Sequence, residues 1–161
     1  MYLSKISIKN FRVFSDAVEV SFSKGLNLLV GENGSGKSTA VDAIRALLGE
    51  NEFSRRGIIE EDFYSVFCES QKKSSESLFI SGVFSNLTEA QKVEYLSWLD
   101  EDFNAKLSFE VQRTLNRRNN YKQKRWGGNS SNSFFDIEPL NDIQCVYLPA
   151  LRDAERRLRT G

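Results

Sequence analysis

Leu26-Asn27-Leu28-Leu29-Val30-Gly31-Glu32-Asn33-Gly34-Ser35-Gly36-Lys37-Ser38-Thr39-Ala40-Val41-Asp42-Ala43-Ile44 is a short apolar run, a glycine-rich turn and the start of an amphipathic stretch in direct succession. Gly31 to Ser38 fits G-x-x-x-x-G-K-[ST] at every fixed position. Phosphate oxygens need donors that wrap around them, and glycines at 31, 34 and 36 let backbone N–H groups approach without a Cβ in the way. The helix that follows aims its free N–H groups and positive dipole end at the same anion. Lys37 is spaced to reach β- and γ-phosphates, and the Ser38 hydroxyl is a natural Mg²⁺ ligand. Asn33, Gly34, Ser35, Gly36, Lys37, Ser38 and Thr39 are therefore the candidate nucleotide-binding residues, with ATP and Mg²⁺ as the expected ligands.

The segments on either side suit that motif. Leu26 to Val30 reads as a strand buried on both faces. Val41, Ile44, Leu47 and Leu48 recur at helical spacing over 38–48, and Gly49 is placed to cap the helix. Upstream, Leu3 to Asn10 and Val18 to Phe22 alternate as strands, with Lys24-Gly25 as a turn. Downstream, a short amphipathic piece at 58–67 precedes an exposed loop at 70–77. Strands are predicted at 78–84, 107–111 and 143–148. Thr88-Glu89-Ala90-Gln91 has capping-box spacing and predicts a helix start, with Val93, Leu96 and Leu99 inward. Residues 113–133 are basic, then glycine- and serine-rich, and are expected to form a mobile loop; a charged helix is expected from about Leu151.

Composition excludes several classes. The chain has 161 residues, 40% of them apolar, enough for one domain with a core. Lys plus Arg equals Asp plus Glu at 22 each, so nucleic-acid contact requires a local patch. There is no histidine, and the two cysteines, Cys68 and Cys145, lie far apart. A Cys/His zinc site and a histidine base are thereby disfavoured, and the thiols suit a reducing cytoplasm. The start is no signal peptide, and no run approaches the roughly 20 apolar residues of a membrane span.

Asn33-Gly34-Ser35-Gly36-Lys37-Ser38-Thr39 resembles the ABC form of the motif, and Asp42-Ala43-Ile44 with Ile6-Ser7-Ile8-Lys9-Asn10-Phe11-Arg12 resembles the SMC/RecF-like branch of those ATPases. Ile80 to Thr88 and Val146-Tyr147-Leu148-Pro149-Ala150-Leu151-Arg152-Asp153-Ala154-Glu155 are similar to segments of the OLD (overcoming lysogenization defect) family of ATP-dependent nucleases; Glu61-Asp62-Phe63 is weakly so. The resemblance implies an α/β fold: the N-terminal lobe of a P-loop NTPase of ABC/SMC-RecF type, with a mixed sheet and a P-loop helix over residues 1–161. It further implies a longer, cytoplasmic, homo-oligomeric protein that acts on DNA, as an endonuclease in DNA processing or anti-phage defence. A nucleotide-gated DNA clamp or repair scaffold of SMC/RecF type without nuclease is the alternative, and an ABC transporter subunit a more distant one. In that branch an arginine at the position of Arg12 approaches the phosphates; a surface arginine is the other reading.

The departures are as informative. No signature motif, Walker B strand or Toprim-like segment is present, and the acidic stretches at 60–62 and 100–102 follow no apolar strand. This predicts no ATP turnover by the chain alone. Pro149 to Asp153 stands where a Q-loop belongs but holds no glutamine, and Asp153 and Glu155 point apart on a helix among arginines. Arg113, Arg117, Arg118, Lys122, Lys124 and Arg125, interleaved with Tyr121 and Trp126, read either as a DNA surface or as a solvated loop.

Overall fold

The computed structural model describes residues 1–68, 71–117, 119–132 and 135–148. Expectations placed on 149–161, including the charged helix and the Q-loop position, and on Arg118 lie outside the described residues.

Strands β1 (Tyr2–Lys9), β2 (Val18–Ser21), β5 (Ser77–Ser85), β6 (Ala105–Leu115) and β7 (Tyr121–Gly127) form one sheet in the order β2-β1-β5-β6-β7, and every pairing is antiparallel. Period-two alternation sends Ile6 and Ile8 of β1, Leu78 and Ile80 of β5, and Leu107, Phe109 and Val111 of β6 into one inner face, where all are buried. Helix α1 (Lys37–Leu48) lies on that face. Gly82 lets it approach: a Cβ there would stand 2.6 Å from Leu47 Cδ2.

Helix α1 buries Thr39, Ala40, Ala43, Ala46 and Leu47 rather than the larger Val41, Ile44 and Leu48 of the expected face. Alanines at this contact bring the helix backbone close to the sheet, and the larger residues flank it. Gly49 in the left-handed region ends the helix, as its position predicts, and the Glu50 N–H closes the turn onto the Arg45 carbonyl at 2.9 Å.

Four expectations are corrected. Leu26 to Val30 is not a strand: Leu26, Leu28 and Val30 are 87%, 79% and 90% exposed, and Asn27 ties the run back to Ser23 and Gly25. A strand is defined by its neighbours, and among the described residues none pairs with this segment. Ile143 to Leu148 is likewise unpaired, with Val146 and Leu148 exposed. The loop at 70–77 contains β4 (Gln71–Ser74), hairpinned with β3 (Ser65–Cys68). The basic loop at 113–133 contains the end of β6 and the whole of β7.

The capping box forms as predicted: Thr88 Oγ1 accepts from Gln91 N at 3.3 Å and Gln91 Oε1 accepts from Thr88 N at 3.0 Å. The helix (Glu89–Glu94) is short, however, and passes into a 3₁₀ turn at Leu96–Trp98. The tighter turn rotates the buried face, so Tyr95 and Trp98 point inward while Val93 and Leu96 face solvent. Trp98 Nε1 donates to the Asp136 carbonyl at 2.8 Å, and Tyr95 OH to that of Pro139 at 3.2 Å, fastening residues 136–139 to the core.

Candidate functional site: the glycine-rich loop and its charged flank

The turn after Val30 delivers the chain to α1 through Gly34 and Gly36, at φ 86° and 92°. Gly36 occupies the helix N-cap and no side chain caps the helix, so the first-turn amides of Lys37, Ser38 and Thr39 point outward at the loop. A side chain is barred from position 36 twice over, since a Cβ would stand 2.5 Å from Phe14 Cζ and the φ suits glycine alone. Gly36 and Thr39 are buried, whereas Asn33, Gly34, Ser35 and Ser38 are exposed.

Lys37 folds back over this turn. Its Nζ donates to the carbonyls of Gly31 at 2.7 Å and Glu32 at 2.6 Å, with Ser35 Oγ at 3.4 Å. No carboxylate among the described residues pairs with it. The arrangement is an amide-lined concavity with a neutral-partnered ammonium at its rim, which suits a phosphate chain. A cavity of about 310 Å³ opens beside it, lined by Leu29, Lys37, Ser38, Val41, Asp42 and Tyr147. Ser38 Oγ would be the side-chain ligand of a Mg²⁺ brought with the phosphates; among the described residues no His, Cys, Asp and Glu cluster offers a metal site by itself.

Arg12 is not among the lining residues of this cavity, although Asp42, which it bonds, is. Its Nε donates to Asp62 Oδ1 at 3.0 Å and its Nη1 to Asp42 Oδ2. Asp42 also accepts from Arg45 Nη1 at 2.8 Å, and Arg45 Nη2 reaches Glu50 at 2.9 Å. Asp62, 1% exposed, further accepts from Arg56 Nη2 at 2.7 Å and Ile59 N at 3.1 Å. Desolvation pulls the Arg45 guanidinium down, but Glu50 and Asp42 together hold it above its ordinary value. The network thus ties the turn after β1 to the middle of α1 and to residues 56–62. Arg45 lies 3.8 Å over the Tyr147 ring, which brings an aromatic to the cavity from more than a hundred positions downstream. Neither Asp42's bridging role nor Tyr147's placement had a signal in spacing; both are long-range contacts.

The basic run divides. Arg113 bonds Glu60 at 3.1 Å and Tyr121 OH bonds the same carboxylate at 2.9 Å. Arg125 points to the inner face, and Trp126 packs against Phe79 at 5.9 Å. Arg117, Lys122 and Lys124 remain exposed on the hairpin.

A P-loop helix on an antiparallel sheet, reached through a positive-φ glycine turn, defines a lobe of the P-loop nucleotide-binding ATPases. The chain belongs to the AAA ATPase domain family, whose pattern matches residues 1–143. It is 54% identical over 50 residues to the chromosome partition protein Smc of Chlorobaculum tepidum. It is 40% identical over 74 residues to Smc of Bacillus subtilis and 41% over 68 residues to that organism's DNA repair protein RecN. These stretches cover 31%, 45% and 40% of the chain but only 4%, 6% and 12% of those proteins. In fold it is similar to an SMC ATPase solved in work on ATP-driven dimerization and DNA-stimulated activation (22% identity, TM-score 0.54, 89% of this chain and 77% of that one). It is also similar to an Smc head bound to the C-winged helix domain of ScpA (22%, TM-score 0.53, 78% and 35%). The fold is that of the ABC/SMC-type ATPase lobe. No helix among the described residues is long and apolar enough to cross a membrane.

Proposed function

We propose that this chain is the ATP-binding lobe of a cytoplasmic ATPase that handles DNA and works as a homo-oligomer. The amides of Asn33 to Thr39 and the ammonium of Lys37 would hold the triphosphate, and Ser38 the Mg²⁺. The observation that carries this reading is Lys37 itself: a cation beside outward-pointing helix amides, held among the described residues by two carbonyls and a hydroxyl. Those contacts exchange for phosphate oxygens without breaking an ion pair. Arg12 takes a positioning role in this reading, holding Asp42 of the P-loop helix in register with Asp62.

The lobe reading is supported by Leu26, Leu28, Val30, Val146 and Leu148, apolar side chains exposed on two unpaired segments whose Leu29 and Tyr147 line the same cavity. Two such segments with one uncovered face suit a sheet completed by further polypeptide. Hydrolysis needs a carboxylate to position water and donors on the γ-phosphate, and binding ground and transition states alike does not raise the rate. Phosphate release by the purified chain should sit at background, and the longer protein should hydrolyse ATP in a Lys37-dependent way. Robust Lys37-dependent turnover by the chain alone would overturn the lobe reading.

Of the whole-protein activities, the OLD-type endonuclease is favoured by the Val146 to Glu155 segment, and an SMC/RecN-like scaffold without nuclease by the stretches shared with those proteins. Mg²⁺-dependent nicking of plasmid DNA by the longer protein separates them: nicking supports the nuclease, and its absence, with ATPase intact, the scaffold.

A further inference from the structure

Arg125 stands apart from the other inward-facing charges. In β7 it lies opposite Phe109, and Phe109 opposite Ile80, which pairs with Ile8; cross-strand partners share a face, so Arg125 ends the apolar row of the core. Its guanidinium sits 4.0 Å over the Phe109 ring, and its Nη2 donates to the Ala46 carbonyl in the last turn of α1 at 2.9 Å. Its Nε is sealed from solvent and has no acceptor among the described residues. Arg12, Arg45, Arg56 and Arg113 each meet a carboxylate; Arg125 meets none among the described residues. Burial alone pushes its guanidinium below the usual value. It stays charged at neutral pH nonetheless, and the partial negative charge of one helix end offsets only part of a partly buried cation.

Cavities of about 490 and 260 Å³ share Arg125 and Ser54 in their walls. Asn51, Asn141 and Gln144 add neutral hydrogen-bonding groups to the larger one. Its one carboxylate among the described lining residues, Glu50, is engaged by Arg45 and by the Phe53 amide at 3.1 Å. The cavity therefore presents a cation that no carboxylate among the described residues pairs with, and several amide and hydroxyl groups to complete a shell around an anion.

We propose that this cleft binds a small oxyanion, carboxylate or phosphate, on Arg125, with the Ser54 hydroxyl as a second contact. The site is distinct from the glycine-rich loop. It lies at the other end of α1, a helix of 12 residues and so roughly 18 Å long at ~1.5 Å per residue. An oxyanion in the cavity supplies the negative charge that Phe109 and one carbonyl do not.

The test is a titration of the 161-residue chain carrying Lys37→Ala, so that anions on the glycine-rich loop do not contribute. The arginine side-chain N–H resonances are followed by NMR, with Arg125 assigned through its bonds. Sodium acetate and sodium phosphate are the probes, at ionic strength held constant with chloride. The expected result is a saturable shift of the Arg125 Nε resonance, with affinity lowered severalfold by Ser54→Ala. Tighter binding of acetate points to a carboxylate ligand, tighter binding of phosphate to a phosphorylated one. An Arg125 resonance that moves with neither probe, or drifts linearly as it does with chloride, overturns the proposal.

Discussion

Replacing Asp62 by Ala removes a carboxylate shared by Arg12, Arg56 and the Ile59 amide at 3.0, 2.7 and 3.1 Å. Breaking a buried ion pair by deleting one partner costs about 3–5 kcal/mol, because the other charge is stranded. Here the guanidinium side chains are 28% and 34% exposed, and Arg12 keeps Asp42, so both can turn toward water. The expected loss is therefore smaller, about 2–3 kcal/mol. At roughly 2–4 °C per kcal/mol for a chain of this size, the melting temperature should fall by about 4–12 °C. Urea unfolding followed by tryptophan fluorescence reads it directly, and a double-mutant cycle with Arg56→Ala should return a coupling of about 0.5–3 kcal/mol. A loss under about 0.5 kcal/mol would refute the network as a stabilising element. So would an Arg12→Ala variant of parental stability with weakened Mg·ATP binding, which would return Arg12 to the phosphates.

Gly36→Ala should destabilise by at least about 1–2 kcal/mol from the left-handed backbone alone, and abolish nucleotide binding as Phe14 and the new Cβ separate; a thermal melt with and without Mg·ATP measures both. Glu60 is pushed up by burial, but bonds from Ser74, Tyr121 and Arg113 outweigh this and hold its carboxyl below the ordinary value. Its contribution is thus fully present above the unfolded-state pKa of about 4.3 and lost as pH falls through the lower folded value. The stability gap between parent and Glu60→Gln should close on acidification across that window, and a gap independent of pH would contradict the assignment. Replacing Arg117, Lys122 and Lys124 with Ala in the longer protein should flatten the salt dependence of duplex DNA binding by about 0.9 in logarithmic slope per lost phosphate contact; an unchanged slope would clear the hairpin of a role.

Local chemistry was legible in the sequence, and partnership was not. The glycine turn, the extent of α1, its Gly49 cap and the Thr88 capping box are encoded within a few residues each, and all four form. Leu26 to Val30 has the composition of a buried strand, but pairing is a relation to another segment, and none lies beside it among the described residues. The same holds for Ile143 to Leu148. Polar Gln71 to Ser74 carries no hydrophobic alternation to betray β4, whose partner β3 lies just upstream. In Tyr121 to Gly127 the residues opposite the core face of β6 are Gln123, Arg125 and Gly127, so period-two reading sees no apolar alternation where the sheet has its edge. In the site, the P-loop residues were readable one by one, whereas Arg12's engagement by Asp42 and Asp62, and the arrival of Tyr147, depend on contacts across 30, 50 and more than 100 positions.

The central claim, that the turn from Gly31 to Ser38 cradles a nucleotide triphosphate, is tested most directly by calorimetric titration of the chain with Mg·ATP beside its Lys37→Ala variant. Lys37 gives up its bonds to Gly31 and Glu32 for charge-assisted bonds to phosphate oxygens, each worth roughly 1.5–3 kcal/mol. The account predicts saturable binding by the parent and an affinity lower by about tenfold or more in the variant, since ~1.4 kcal/mol is one decade. Equal affinity in the two chains, with both folded, would contradict it.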